Sequence, residues 1–233
     1  MLVLIAMSKG AFPIHQWDFS NESVLVDLPQ EVYDRLTAHK TERVYAQHEI
    51  LFREGAFPSG IFYIVKGKVK KYKADREGKE QIVNLAHTGQ LVGYHAVLSE
   101  ERYPDTAATL EKSTIAFIPK EDFLAALDQS PLLTNRLLTT LSHEFAVLVN
   151  NLTMFARKTV RERLAMQLLI VREKFRDDVI SLNREDLANL VGTARENVIR
   201  VLAAFREEGL VETQGRKIII RDVDKLMAIA SYP

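Results

Sequence analysis

Cysteine is absent from the 233 residues. Its absence removes disulfides, thiolate zinc sites, cysteine-ligated iron–sulfur clusters and thiol redox switching. It agrees with a reducing compartment, and a cytoplasmic protein is expected. Net charge is missing as well. Lys+Arg and Asp+Glu both number 31, so no global basic field points to a polyanionic partner. From Arg157 onward there are 15 Lys/Arg against 12 Asp/Glu, a small local excess that decides nothing. No apolar run approaches the roughly 20 residues that cross a bilayer, so no membrane partner is expected. The opening Met1-Leu2-Val3-Leu4-Ile5-Ala6-Met7 is apolar but short, without the basic start and small-residue cleavage site of a secretory signal. Met7 opens a more ordinary polar stretch, so a misplaced start codon would account for residues 1–6.

Catalytic and metal-binding patterns are also lacking. The histidines at 15, 39, 48, 87, 95 and 143 show neither His-x-His nor His-x-x-x-His spacing, so no metal site is expected. That also removes the clustered histidines a cupin-type metalloenzyme needs. The carboxylate pairs Glu100-Glu101, Asp177-Asp178 and Glu207-Glu208 fall in loops or at helix ends, where charge is ordinarily solvated. No nucleophile elbow, Walker loop or dinucleotide fingerprint occurs. The chain is not expected to be an enzyme.

What is present is a change of texture along the chain. Residues 1 to about 20 carry no periodicity and are expected to be a mobile lead-in. Pro29 to His39 has a helical face of Val32, Tyr33 and Leu36. From Glu42 to Pro119, short β-rich runs recur at Ile50–Phe52, Ile61–Val65, Val69–Tyr72, Ile82–Leu85 and Ile115–Ile118, with glycines punctuating the turns. No helix of crossover length intervenes, which favours a barrel or jelly roll over a parallel sheet.

The period then becomes helical. A short helix is expected over Glu121 to Leu127 and a long one from Pro131 to about Ala156. Leu138, Leu141, Phe145, Leu148, Leu152 and Phe155 follow one another at three- and four-residue spacing. Such a stripe either packs on its own barrel or pairs two copies. A helix of about 39 Å is longer than capping a small barrel requires, so pairing is expected. Another helix spans Val160 to Phe175. Asn183-Arg184-Glu185-Asp186 caps a following one, Gly192-Thr193 breaks it, and Thr193-Ala194-Arg195-Glu196 opens a second that Gly209 ends. A β-hairpin follows around Gln214-Gly215-Arg216. Two helices on a tight glycine turn with a hairpin behind them outline a winged helix-turn-helix.

Two stretches carry a family resemblance. Ile50-Leu51-Phe52-Arg53-Glu54-Gly55 and Phe62 to Val69 resemble the cyclic-nucleotide-binding β-roll, and Leu187 to Phe205 resembles the helix-turn-helix of the Crp/Fnr regulators. The resemblance covers about residues 25–230. It implies an α+β fold: an N-terminal double-stranded β-roll (a jelly roll), a long dimerisation helix and a C-terminal winged helix-turn-helix. The expected parts are a lead-in over 1–20, a sensor roll over 21–128, the dimerisation helix over 129–157 and the DNA-binding domain over 158–233. It further implies a homodimer that binds an inverted-repeat operator on double-stranded DNA, with TGA-like half-sites, and that contacts RNA polymerase.

In the cyclic-AMP-binding members the cyclic phosphate is held by a Gly-Glu strand end and an Arg-Ser pair. Here Gly93 is followed by Tyr94, and Asp105 falls at the arginine position. A carboxylate repels a phosphate. The polar pair that those members supply from the long helix becomes Leu148 and Val149. Cyclic AMP is therefore not the expected effector. An unidentified small molecule would meet Gly93, Tyr94, His95, Arg102, Asp105 and Thr106, with Arg102 as its anion contact. Gas-sensing relatives ligate haem through a roll histidine, but His95 is expected to line the pocket or to be held by a hydrogen bond, and no cofactor is identified. A roll that is a structural relic, or a module that only binds ligand, are the other readings.

On DNA, the resemblance implies contacts from Thr193, Arg195, Glu196, Asn197, Ile199 and Arg200, with Glu196 and Arg200 reading base edges, Arg195 reading a second guanine or holding a phosphate, and Lys217 of the wing as a phosphate contact. A structural alternative remains for the same residues: Thr193-x-x-Glu196 fits a capping box, and Arg200 fits an i,i+4 pair with Glu196.

Overall fold

The computed structural model describes residue 12 and residues 14–230; the expectation for residues 1–6 lies outside them. Contacts divide the chain into two compact units, one of Phe19–Phe145 and one of the residues up to Asp18 together with those from Ala146 onward.

The first unit begins with α1 (Gln30–Leu36) and continues through β1 (Thr41–Tyr45), β2 (Ile50–Phe52), β3 (Gly60–Lys66), β4 (Lys68–Ala74), β5 (Glu80–His87) and β6 (Leu91–Val92). Helix α2 (Tyr94–Ser99) precedes β7 (Thr106–Thr109), β8 (Ser113–Pro119) and α3 (Lys120–Gln129). The strands form two antiparallel four-stranded sheets, ordered β1-β8-β3-β6 and β2-β7-β4-β5. This is the expected roll. Alternation gives β3 two buried faces: Ile61 enters one core cluster, and Phe62 and Ile64 on the other face enter a second. Phe52, Phe62, Ile64, Val69, Val92, Tyr103 and Ile115 fill one core cluster. A second joins α2 and α3 to the start of the long helix through Tyr94, Val97, Phe123, Leu133 and Leu137. The β3–β4 corner needs Gly67, whose φ is 120° and whose absent Cβ would stand 2.1 Å from Ser113 Oγ.

Helix α4 (Pro131–Arg157) runs unbroken across the junction of the two units. The division thus falls within the helix, where a separate segment over 129–157 was expected. The lead-in also departs from expectation. Phe12 is buried, Gln16 accepts from Asn150 Nδ2 at 2.8 Å, and Asp18 pairs with the buried Lys174. Residues 14–18 are therefore held onto the C-terminal unit. Aperiodic sequence hid this because single polar anchors, not a repeating face, hold the segment.

The second unit continues with α5 (Val160–Phe175), β9 (Val179–Ile180), α6 (Arg184–Val191), α7 (Arg195–Glu207), β10 (Val211–Gln214), β11 (Lys217–Ile220) and α8 (Val223–Ile229). Its sheet is antiparallel, ordered β10-β11-β9. Asn183 caps α6 through Asp186 N, and Gly192 ends that helix at φ 70°. The capping box lies at Thr159 and Glu162, where both reciprocal bonds form and start α5. Ala194, not Thr193, is the N-cap of α7, so the capping box offered as the structural alternative at Thr193 and Glu196 does not form.

Candidate functional site

Helix α7 separates two faces. Val198, Leu202 and Phe205 are buried and fix it in the unit. Arg195, Glu196, Ile199 and Arg200 are exposed on the other side, in its first two turns. The spacing of one, three and one residues sets the four on one helical face. Arg200 does not pair with Glu196. Its guanidinium donates to Asn197 Oδ1 at 2.9 Å, and Asn197 Nδ2 donates to Thr193 Oγ1 at 3.0 Å. Thr193 and Asn197 thus hold Arg200 in place, and Glu196 makes no ion pair among the described residues.

Lys217 opens β11 and is exposed beside the wing turn. That turn is tied to α6, because Arg184 donates to the carbonyls of Gly215 and Arg216 at 3.2 Å each. Arg163 of α5 donates to the carbonyls of Val191 and Gly192, at 2.9 and 3.1 Å, across the end of α6. These two arginines tie the wing turn to α6 and the end of α6 to α5. Nothing in the sequence separated them from surface charge, since their partners are backbone atoms far along the chain.

In the roll, Gly93 is the N-cap of α2 at φ 87°, and its missing Cβ would meet Phe52 and Tyr103 at 3.3 Å. Tyr94 is only 1% exposed, stacks on His95 and donates its hydroxyl to Glu144 Oε1 at 2.7 Å. His95 Nε2 lies 2.6 Å from Glu144 Oε2. Burial raises the pKa of Glu144, but the His95 hydrogen bond and charge, the Tyr94 hydroxyl and the Lys71 charge outweigh it and hold the carboxyl below its ordinary range. Glu144 is thus ionised, and since a carboxylate only accepts, His95 Nε2 carries the hydrogen. Burial and the facing carboxylate push the Tyr94 phenol far up, which keeps it a donor.

Beside this cluster, Asp105 pairs with Lys71 at 3.0 Å, both side chains being nearly buried. The second Asp105 oxygen is buried without a hydrogen-bond partner. Thr106 Oγ1 accepts from Glu54 N at 3.0 Å. Arg102 is exposed, lies over the Phe57 ring at 3.8 Å and donates to the Gly55 carbonyl at 2.7 Å. It braces the loop after β2 instead of joining the buried cluster. Glu144 and Lys71 are the residues that sequence reasoning missed. Among the described residues no group of three or more His, Cys, Asp or Glu side chains is arranged to hold a metal ion, and no helix is long and apolar enough to cross a membrane.

The α4 stripe splits. Leu138, Phe145, Leu148 and Leu152 are exposed, Phe145 at 69% and Leu152 at 72%. Leu141, by contrast, packs partly against the roll's helical core cluster, and Phe155 is half-buried with Arg163 over its ring. Val149 is exposed beside Leu148.

Comparison with known proteins agrees with this division. Residues 42–130 match the Cyclic nucleotide-binding domain family, and residues 162–229 match the Crp-like helix-turn-helix domain. The transcriptional activator protein FnrA of Stutzerimonas stutzeri is 31% identical over 200 residues, covering 82% of this chain and 81% of that protein. The cyclic AMP receptor protein of Thermus thermophilus is 28% identical over 202 residues, covering 87% of this chain and 93% of that protein. The crystal structure of a putative transcriptional regulator of the Crp/Fnr family from Eubacterium rectale superposes with a TM-score of 0.72 at 19% identity, covering 88% of this chain and 96% of that one. A β-roll joined to a winged helix-turn-helix defines a two-domain transcription regulator, not an enzyme. The chain belongs to the Crp/Fnr family.

Proposed function

We propose that the protein is a homodimer that reads an inverted-repeat DNA operator through Arg195, Glu196, Ile199 and Arg200, with the roll biasing how the two winged helices are presented. The carrying observation is the exposed face of α7, where four side chains project from a helix anchored by its opposite face. The first turns of the second helix of this motif enter the major groove. Arg200 can pair bidentately with guanine O6 and N7, and Glu196 can accept from cytosine N4 or adenine N6. The exposed Leu138, Phe145, Leu148 and Leu152 support pairing of two α4 helices. Contact with RNA polymerase is supported by the relatives named as transcriptional activators. Selection of binding sites from random duplexes tests the reading: a palindromic motif is expected, and a single half-site or no enrichment would contradict it.

Cyclic AMP is not the effector in this reading. Tyr94 and His95 are engaged with Glu144, and Asp105, which stands where the cyclic-AMP-binding members carry their phosphate-binding arginine, is paired with Lys71. Calorimetry is expected to show no binding tighter than roughly the millimolar range, near −4 kcal/mol; micromolar affinity would overturn it. A second reading, DNA binding without any effector, is favoured by the same engagement of Tyr94 and His95 with the chain's own carboxylate.

A further inference from the structure

We infer that the roll contains a small-carboxylate site whose occupant is the chain's own Glu144. Tyr94 and His95 come from the start of α2, Lys71 from β4, and the carboxylate comes from α4. Both carboxylate oxygens are taken: Oε1 receives the Tyr94 hydroxyl at 2.7 Å and Oε2 receives His95 Nε2 at 2.6 Å. Tyr94 Oη is itself 3.4 Å from Asn21 Nδ2, which donates more closely to the Leu91 carbonyl at 2.9 Å. Asn21 thereby fixes the donor from behind. Lys71 adds positive charge, shared with Asp105. A buried carboxylate is costly unless each oxygen is met by a donor and its charge is balanced. Here a donor within the unit meets each oxygen, and the nearby Lys71 offsets part of the charge.

The arrangement is that of a receptor bound to an anion, with the anion tethered. A tethered group competes at a local concentration of millimolar or more, so a free anion of modest affinity does not displace it. Glu144 also immediately precedes Phe145, the exposed apolar residue on the same helix. Occupation of the site therefore orients the helix turn that carries Phe145. This step rests on the reading of the roll as a part that biases DNA binding; the site itself does not.

Removing the tethered carboxylate while keeping the donors tests it. Glu144→Ala in the full chain, followed in chloride, acetate and acetamide at matched ionic strength, is expected to lower Tm on the order of 10 °C. Acetate, and not acetamide, is expected to recover a large part of that loss, while wild type responds equally to both salts. Equal responses of wild type and variant to acetate would overturn the inference. Should the alanine variant not fold, Glu144→Gln keeps the shape and the acceptor but not the charge. It is expected to melt below wild type; a Gln variant as stable as wild type would equally overturn it. Operator affinity, measured in parallel, is expected to fall about tenfold in Glu144→Ala and to return with acetate. If Tm is rescued but wild type binds no DNA, the regulator reading fails and the anion site stands. If wild type binds DNA and Tm is not rescued, the anion site fails alone.

Discussion

The roll and the winged helix treat their polar side chains in opposite ways. In the roll, the buried Tyr94 and Glu144 and the partly exposed His95 satisfy one another, and Lys71 pairs with Asp105 beside them. On α7, Arg195, Glu196 and Arg200 face solvent, and a short chain of hydrogen bonds from Thr193 through Asn197 restrains Arg200. The roll's network is therefore a stability element that a ligand would have to rearrange. The exposed face of α7 adds little to stability and is free to meet a partner. A buried polar group costs free energy unless it is matched, whereas an exposed one is already hydrated and exchanges water for a ligand.

The largest effect is expected outside both regions, at α4. Phe145→Asp together with Leu152→Asp changes two exposed positions, so the protomer should keep its fold. Charges in a shared apolar seam cost several kcal/mol unless the copies separate. Light scattering at micromolar concentration is expected to report a monomer; a persistent dimer would move the interface elsewhere. Next, the comparison predicts that Asp105→Ala destabilises the roll by about 3 kcal/mol, because Lys71 stays buried with only Glu144 to offset it. Denaturant titration checks this, and a loss under about 0.5 kcal/mol, the range of ordinary surface changes, would break the contrast between the regions. The smallest effect belongs to the wing. Lys217→Ala is expected to leave stability and sequence preference unchanged while lowering the slope of log affinity against log salt by about 1.

Much of the fold was legible because it rests on periodicity. The bounds Val160–Phe175 for α5 and the start of α4 at Pro131 follow from spacing and a helix-compatible proline. Strands of low β propensity were not legible. β7, with the sequence Thr-Ala-Ala-Thr, owes its place to β2 and β4 on either side, as sheet context overrides propensity. β1 is mostly exposed and carries Glu42 and Arg43, so no apolar alternation announces it.

The site divided in the same way. The exposed face of α7 could be placed from the helical spacing and the glycine turn, and its proposed role from the resemblance, but its internal bonds could not. Moving the N-cap one residue, to Ala194, frees Thr193 to meet Asn197, and Asn197 then takes Arg200 in place of Glu196. In the roll, Tyr94 and His95 were placed by the resemblance. Glu144 was hidden as a single acid beside an apolar stripe, and Lys71 sat in the run Lys68-Val69-Lys70-Lys71-Tyr72-Lys73, which reads as solvated charge. Only the tertiary arrangement of α2, β4 and α4 brings those charges together.

The most direct test of the account compares the sites selected from random duplexes by wild type and by Arg200→Ala. The account predicts that wild type selects an inverted repeat and that the variant loses preference at one guanine in each half-site. The affinity cost at that position is expected to be about 1–3 kcal/mol, with the remaining positions retained. An Arg200→Ala variant that selects the wild-type motif unchanged would contradict base reading by α7.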